Sequence, residues 1–93
     1  MQTNSKEEEK RLRIRIALAA YAYEFENDSL MSDEEFDALS LKIDVNVKTG
    51  WQQLDKFFKL NFEPSTGMWI RQHPQLSGLQ IIYNKYFRSR DDL

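Results

Sequence analysis

Cysteine is absent from these 93 residues. That excludes disulfides and thiolate metal sites, and nothing points to an oxidising compartment. Glycine and proline are scarce, at three and two, which suits helices joined by short turns better than a turn-rich β-sandwich. Histidine occurs once, as His73. There is no glycine-rich phosphate loop, no nucleophile elbow and no zinc-ligand spacing. Long apolar runs are missing too. The longest, residues 16–23, is far short of a membrane span, and the polar stretch 1–15 does not read as a signal peptide. The expectation is a cytoplasmic chain with no membrane partner, no metal and no required cofactor.

Aromatic residues are plentiful: two Trp, six Phe and four Tyr. They supply enough apolar mass for one modest core, so wholesale disorder is not expected. The length fits a single domain over 1–93, with residues 1–4 frayed. The net charge of −2 hides an asymmetry. Residues 24–44 hold eight acids against one base, a charge of −7, whereas 46–93 hold seven bases against four acids, a charge of +3. The bases are scattered, so direct nucleic-acid binding through a broad basic face is not expected.

The patterning predicts an all-α domain of four helices, near 5–26, 32–41, 50–61 and 75–89. Ser5-Lys6-Glu7-Glu8 and Ser32-Asp33-Glu34-Glu35 have the form of capping boxes, and Met31 with Phe36 forms a hydrophobic staple at the second. Glu7 with Arg11 and Glu9 with Arg13 are helical ion-pair spacings. Two apolar faces run along the first helix, one through Leu12, Ile16, Ala19, Ala20 and Tyr23, the other through Ile14, Leu18, Tyr21 and Phe25. Other helices should therefore flank it on both sides. A strand over 11–16 is the competing reading. Residues 42–48 read as an extended connector. Thr49-Gly50-Trp51-Gln52 is a third candidate capping box, leading to Trp51, Leu54, Phe57 and Phe58 at helical spacing. Residues 62–73 read as a loop with one helical turn at 68–71. Pro74 suits a first helical turn, and Leu76, Leu79, Tyr83 and Tyr86 form the last stripe.

Candidates for chemistry are few. His73 reads as an exposed or capping residue rather than a base or a ligand. Asp33 and Asp37 share a helix face, with Glu24 and Glu26 close by. They form either a magnesium or acid–base site or a solvated face. Trp69 is placed either in the core or at an interface as an anchor.

Residues 12–39, from Leu12 through Tyr21-Ala22-Tyr23-Glu24 to Ser32-Asp33-Glu34-Glu35-Phe36-Asp37-Ala38-Leu39, resemble the small N-terminal helical domain of NAD-dependent DNA ligases. Its pattern is roughly Y-x-Y-H, a short turn, then [SP]-D-x-E-Y-D-x-L. Residues 45–93 do not resemble the ligase. Small phage-encoded ligase-related proteins have a similar layout over most of the chain, including a segment like Thr66-Gly67-Met68-Trp69. The resemblance implies binding of the nicotinamide mononucleotide (NMN) half of NAD by Tyr23, Asp33, Phe36 and Asp37. Glu24 stands where the family has histidine, and Phe36 where it has tyrosine. Both changes weaken such a site, since an ionised glutamate repels phosphate and a lost hydroxyl removes a polar contact. No Lys-x-Asp-Gly adenylation motif is present, so the chain is not a ligase.

Two functions follow as expectations. The first is a non-enzymatic phage or mobile-element accessory protein. It would bind a basic surface on a host protein through its acidic 24–44 region, inhibiting a defence or replication factor, with Glu24, Glu26, Asp28, Glu34, Glu35 and Trp69 at the interface. The alternative is an NMN- or NAD-binding module. Homo-oligomerisation is compatible with either.

Overall fold

The computed structural model describes residues 4–88, an all-α chain of four helices: α1 (Lys6–Phe25), α2 (Asp33–Lys42), α3 (Gln52–Asn61) and α4 (Leu76–Tyr86). A 3₁₀ turn at Met68–Gln72 lies between α3 and α4. No strand occurs among the described residues, so the alternating stretch at 11–16 is helical and 43–51 is an irregular connector. The expected fraying at residues 1–3 lies outside the described residues, as does Ser89. Asn4, grouped with the frayed end by its position, is tied down instead. Its Nδ2 donates to Glu9 Oε1 and to the Lys42 carbonyl, each at 2.7 Å.

Helix α1 is the axis of the fold. Ser5 Oγ accepts from Glu8 N at 3.2 Å while Ser5 N donates back to Glu8 Oε1, so the capping box is complete. Every residue from 16 to 22 is buried. Four of these are alanines, whose small side chains let α2, the 3₁₀ turn and α4 approach on different sides. The two-faced reading of α1 holds in this middle stretch and at half-buried Leu12, which packs against the core. Ile14, Tyr23 and Phe25, expected inward, are exposed. At the C-terminus, Glu26 N and Asp28 N both donate to the Ala22 carbonyl, and Asn27 takes a positive φ of 52° that asparagine tolerates well.

Helix α2 starts at the second capping box, with Glu35 N donating to Ser32 Oγ at 3.1 Å. Met31 and Phe36 pack against the core as the staple requires, alongside buried Leu39 and half-buried Ile43. Replacing Ser32 with alanine is expected to lower stability by about 1 kcal/mol, read as a shifted urea midpoint at unchanged slope.

The third capping box does not form. Trp51 is the residue before α3, and no side chain caps the helix. Thr49 turns instead toward Asp55, donating its N–H at 3.0 Å and its hydroxyl at 2.6 Å. The pull on Asp55 comes from Arg13, and the result is a polar knot. Arg13 Nε donates to Glu9 Oε2 at 2.7 Å, Nη1 to Asp55 Oδ1 at 2.8 Å, and Nη2 to the Asp44 and Val47 carbonyls. Asp44 N donates in turn to both Glu9 oxygens at 3.1 Å. Glu9 is 0 % and Arg13 3 % exposed, so this pair is interior rather than a surface helix pair. It clamps α1 to the connector and to α3. Thr49 and Arg13 together hold the Asp55 carboxyl below its ordinary pKa, against the opposing effect of burial. The other expected pair does not form, since Glu7 reaches Lys10 rather than Arg11.

Phe57 and Phe58 of α3 enclose Trp69 with Phe62, at ring separations of 5.2–6.2 Å. Trp69, 4 % exposed, is therefore core and not an interface anchor. Helix α4 begins after Pro74 and ends at Tyr86, short of the expected 89. Leu79 and Tyr83 are buried, whereas Tyr86 is exposed. Ile82 and Phe87 pack against the core beside them.

Candidate functional site

Two turns of α1 and the start of α2 diverge from the loop at 27–31. The 3₁₀ segment closes the space between them, leaving a cleft of about 360 Å³. Tyr23 and Glu24 border it from α1, Asp33, Phe36 and Asp37 from α2, Thr66 and Gly67 from the turn before the 3₁₀ helix, and Met68 from the first position of that helix. All four residues that the ligase resemblance marks as ligand-binding (Tyr23, Asp33, Phe36 and Asp37) thus line one cleft. Helical periodicity explains the pair on α2, because positions four apart share a face. Gly67 explains the closeness of the far wall. A Cβ there would stand 3.4 Å from Phe36 Cζ and 3.7 Å from Ala20 Cβ, so a larger residue would press on the Phe36 ring.

The lining carries three carboxylates and, among the described residues, no basic side chain. Glu24 is neutralised from behind, since Arg71 holds its Oε2 at 2.5 Å. Asp33 and Asp37 are exposed and have no ion-pair partner among the described residues. The cleft is therefore an aromatic and thioether surface bearing two uncompensated negative charges.

The acidic 24–44 region does not form one free face. Besides Glu24, Glu26 accepts from Arg88 Nη2 at 2.6 Å and from the Tyr21 hydroxyl at 2.6 Å. The Tyr21 hydroxyl keeps the Glu26 pKa below its ordinary range, while burial and the same bond push Tyr21 up to about 12. Asp28 accepts from the Tyr83 hydroxyl at 2.6 Å. Glu35 is engaged in the Ser32 cap. Of the acids expected to meet a partner, Glu34 alone is exposed with no described hydrogen bond or ion pair. A signal for this was present in the sequence: opposite net charge in two halves of one chain suits internal pairing as well as a foreign surface.

His73 is buried rather than exposed, and its bond is to the residue before α4, which has no side-chain cap. Its Nδ1 accepts from Gln75 N at 3.0 Å, which leaves the proton on Nε2. Burial lowers its pKa to about 4, so it is neutral at pH 7. Among the described residues no carboxylate hydrogen-bonds to it, and no group of three or more His, Asp or Glu could hold a metal ion. None of their helices is long and apolar enough to cross a membrane. Trp69 Nε1 is buried without a hydrogen-bond partner among the described residues.

No protein-family model, curated protein or solved structure matches this chain.

Proposed function

We propose that this chain acts by binding, not catalysis, and that the cleft between α1 and α2 receives a cationic side chain from the basic surface of a partner protein. The observation that carries this reading is the charge of the lining: Asp33 and Asp37 lie beside Tyr23 and Phe36, with no basic side chain among the lining residues. Aromatic faces attract a guanidinium or ammonium group, and an unpaired carboxylate beside them strengthens the attraction. A phage or mobile-element protein built this way would cover the nucleic-acid-binding surface of a host defence or replication factor.

The same lining supports a second reading, in which the cationic nicotinamide ring of NMN or NAD lies between Tyr23 and Phe36. The Glu24–Arg71 pair favours it somewhat, because a neutralised Glu24 repels phosphate less than a free one. Asp33 and Asp37 still oppose the phosphate, so a protein cation is the better occupant.

Calorimetry with an arginine-rich peptide, NMN and NAD separates the two readings. The peptide is expected to bind, to weaken steeply as salt is raised to about 0.5 M, and to lose at least about tenfold in affinity in Asp33→Asn/Asp37→Asn. Glu35 is left intact in this design because it caps α2. Peptide binding that ignores both salt and the double substitution overturns the first reading. Heat with NMN that is lost in the double variant would establish the second.

A further inference from the structure

A second cleft, of about 370 Å³, opens between α1, α3 and α4. Ile14, Ala17, Phe58, Leu79 and Ile82 contribute apolar walls, and Trp51 borders it. Small-molecule sites run from about 300 Å³ upward and combine such walls with a few polar groups.

Packing does not account for the whole of two features of this cleft. The first is Gly78. It sits inside α4, where glycine costs about 1 kcal/mol relative to alanine. A Cβ at Gly78 would meet only Gln75 Cβ, at 4.0 Å, so packing does not demand glycine. Its effect is to leave that part of the wall open. The second is His73, which is buried and lines the cleft. Its Nδ1 is engaged by Gln75 N, and among the described residues nothing accepts from its Nε2.

Charge decides the class of occupant. Arg13 also lines this cleft, but Glu9 and Asp55 already surround its guanidinium. Lys10, whose Nζ lies 4.9 Å from the Trp51 ring centroid, is paired with Glu7. The Arg13 guanidinium is committed to Glu9, Asp55 and the Asp44 and Val47 carbonyls, which leaves little for an anion, and among the described residues no carboxylate lines the cleft to hold a cation. A neutral molecule needs neither.

We infer that this second cleft binds a neutral, flat, largely apolar small molecule bearing one hydrogen-bond acceptor, which accepts from His73 Nε2–H and lies against the wall left open by Gly78. The inference is independent of the cation reading of the first cleft.

Prodan, a neutral naphthyl ketone, is a suitable probe. Its emission is expected to shift to the blue and saturate, with an affinity of tens of micromolar. Gly78→Leu fills the open wall with a better helix former and should abolish saturable binding while the circular dichroism stays helical. His73→Asn keeps an acceptor for Gln75 N but removes the Nε2 donor, and should weaken binding about tenfold, the share of one hydrogen bond. No saturable binding to the unmodified chain overturns the proposal. So does undiminished binding to Gly78→Leu, or loss of binding in Asp33→Asn/Asp37→Asn alone, which would place the probe in the first cleft. Loss of probe binding as the protein self-associates in light scattering would assign the cleft to a second copy of the chain, and would also overturn it.

Discussion

Arg13→Met is expected to lower the unfolding free energy by about 3–5 kcal/mol, the largest single effect in this protein. The substitution leaves two carboxylates inside the fold. Glu9 keeps Asp44 N and Asn4 Nδ2, and Asp55 keeps Thr49, but both lose their counter-charge. The Asp44 and Val47 carbonyls lose their donor as well. Domains of this size are stable by about 5–10 kcal/mol, so much of the population would unfold at moderate urea. Added salt should rescue little, since ions do not screen a pair this deep. Combining Arg13→Met with Asp55→Asn should cost less than the sum of the two changes, because the second removes the charge that the first strands. Urea unfolding followed by circular dichroism measures both. A loss under about 1 kcal/mol for Arg13→Met would mean that the knot behaves like a surface ion pair.

The second large effect is acid lability above the carboxylate range. In the fold His73 takes up a proton only near pH 4, against an ordinary value of 6.5 when the chain is unfolded. Between those values the unfolded state holds more protons, so stability is fully present above about pH 6.5 and falls as the pH drops toward 4. The full span is on the order of 3 kcal/mol. Asp55, Glu8 and Glu26 have pKa values below their ordinary ones in the fold, so their contributions are lost at still lower pH, as they become protonated. The two windows can be separated by substitution. His73→Asn preserves an acceptor for Gln75 N and does not titrate. Its stability should be nearly flat from pH 7 to 5, where the unmodified chain declines. Thermal unfolding at stepped pH reads this directly, and parallel declines in the two proteins would remove His73 as the cause.

What could be read from the sequence divides along the distance between partners. The starts of α1 and α2 were legible because Ser5 with Glu8, and Ser32 with Glu35, settle their bonds within three residues. Thr49 shows where that logic fails. Its local pattern was that of a cap, but Asp55 offered a stronger acceptor, fixed in place by an arginine from α1. Arg13 was legible as a partner of Glu9. Its burial was not, because the carbonyls that satisfy it come from Asp44 and Val47, more than thirty positions away. In the first cleft, the sharing of one face by Asp33 and Asp37 followed from helical spacing. The engagement of Glu24 by Arg71, of Glu26 by Arg88 and of Asp28 by Tyr83 did not, since the partners in each pair lie 47, 62 and 55 positions apart. Trp69 had two readings, core and anchor, and only the positions of Phe57, Phe58 and Phe62 chose between them.

The burial of residues 16–22 on every side of α1 has a consequence for biosynthesis. Residues 16–22 are translated before α4, one of their covering surfaces, whose Tyr83 packs edge-on against Tyr21 at 5.9 Å. At about 5–20 residues per second, a ribosome takes roughly 3–12 s to add the sixty-odd residues between them. For that interval the nascent helix presents a nearly continuous apolar cylinder with no partner for one flank. The polar knot of Glu9 and Arg13 closes only after Asp55 has emerged, so the N-terminal half cannot complete its fold before the C-terminal half arrives.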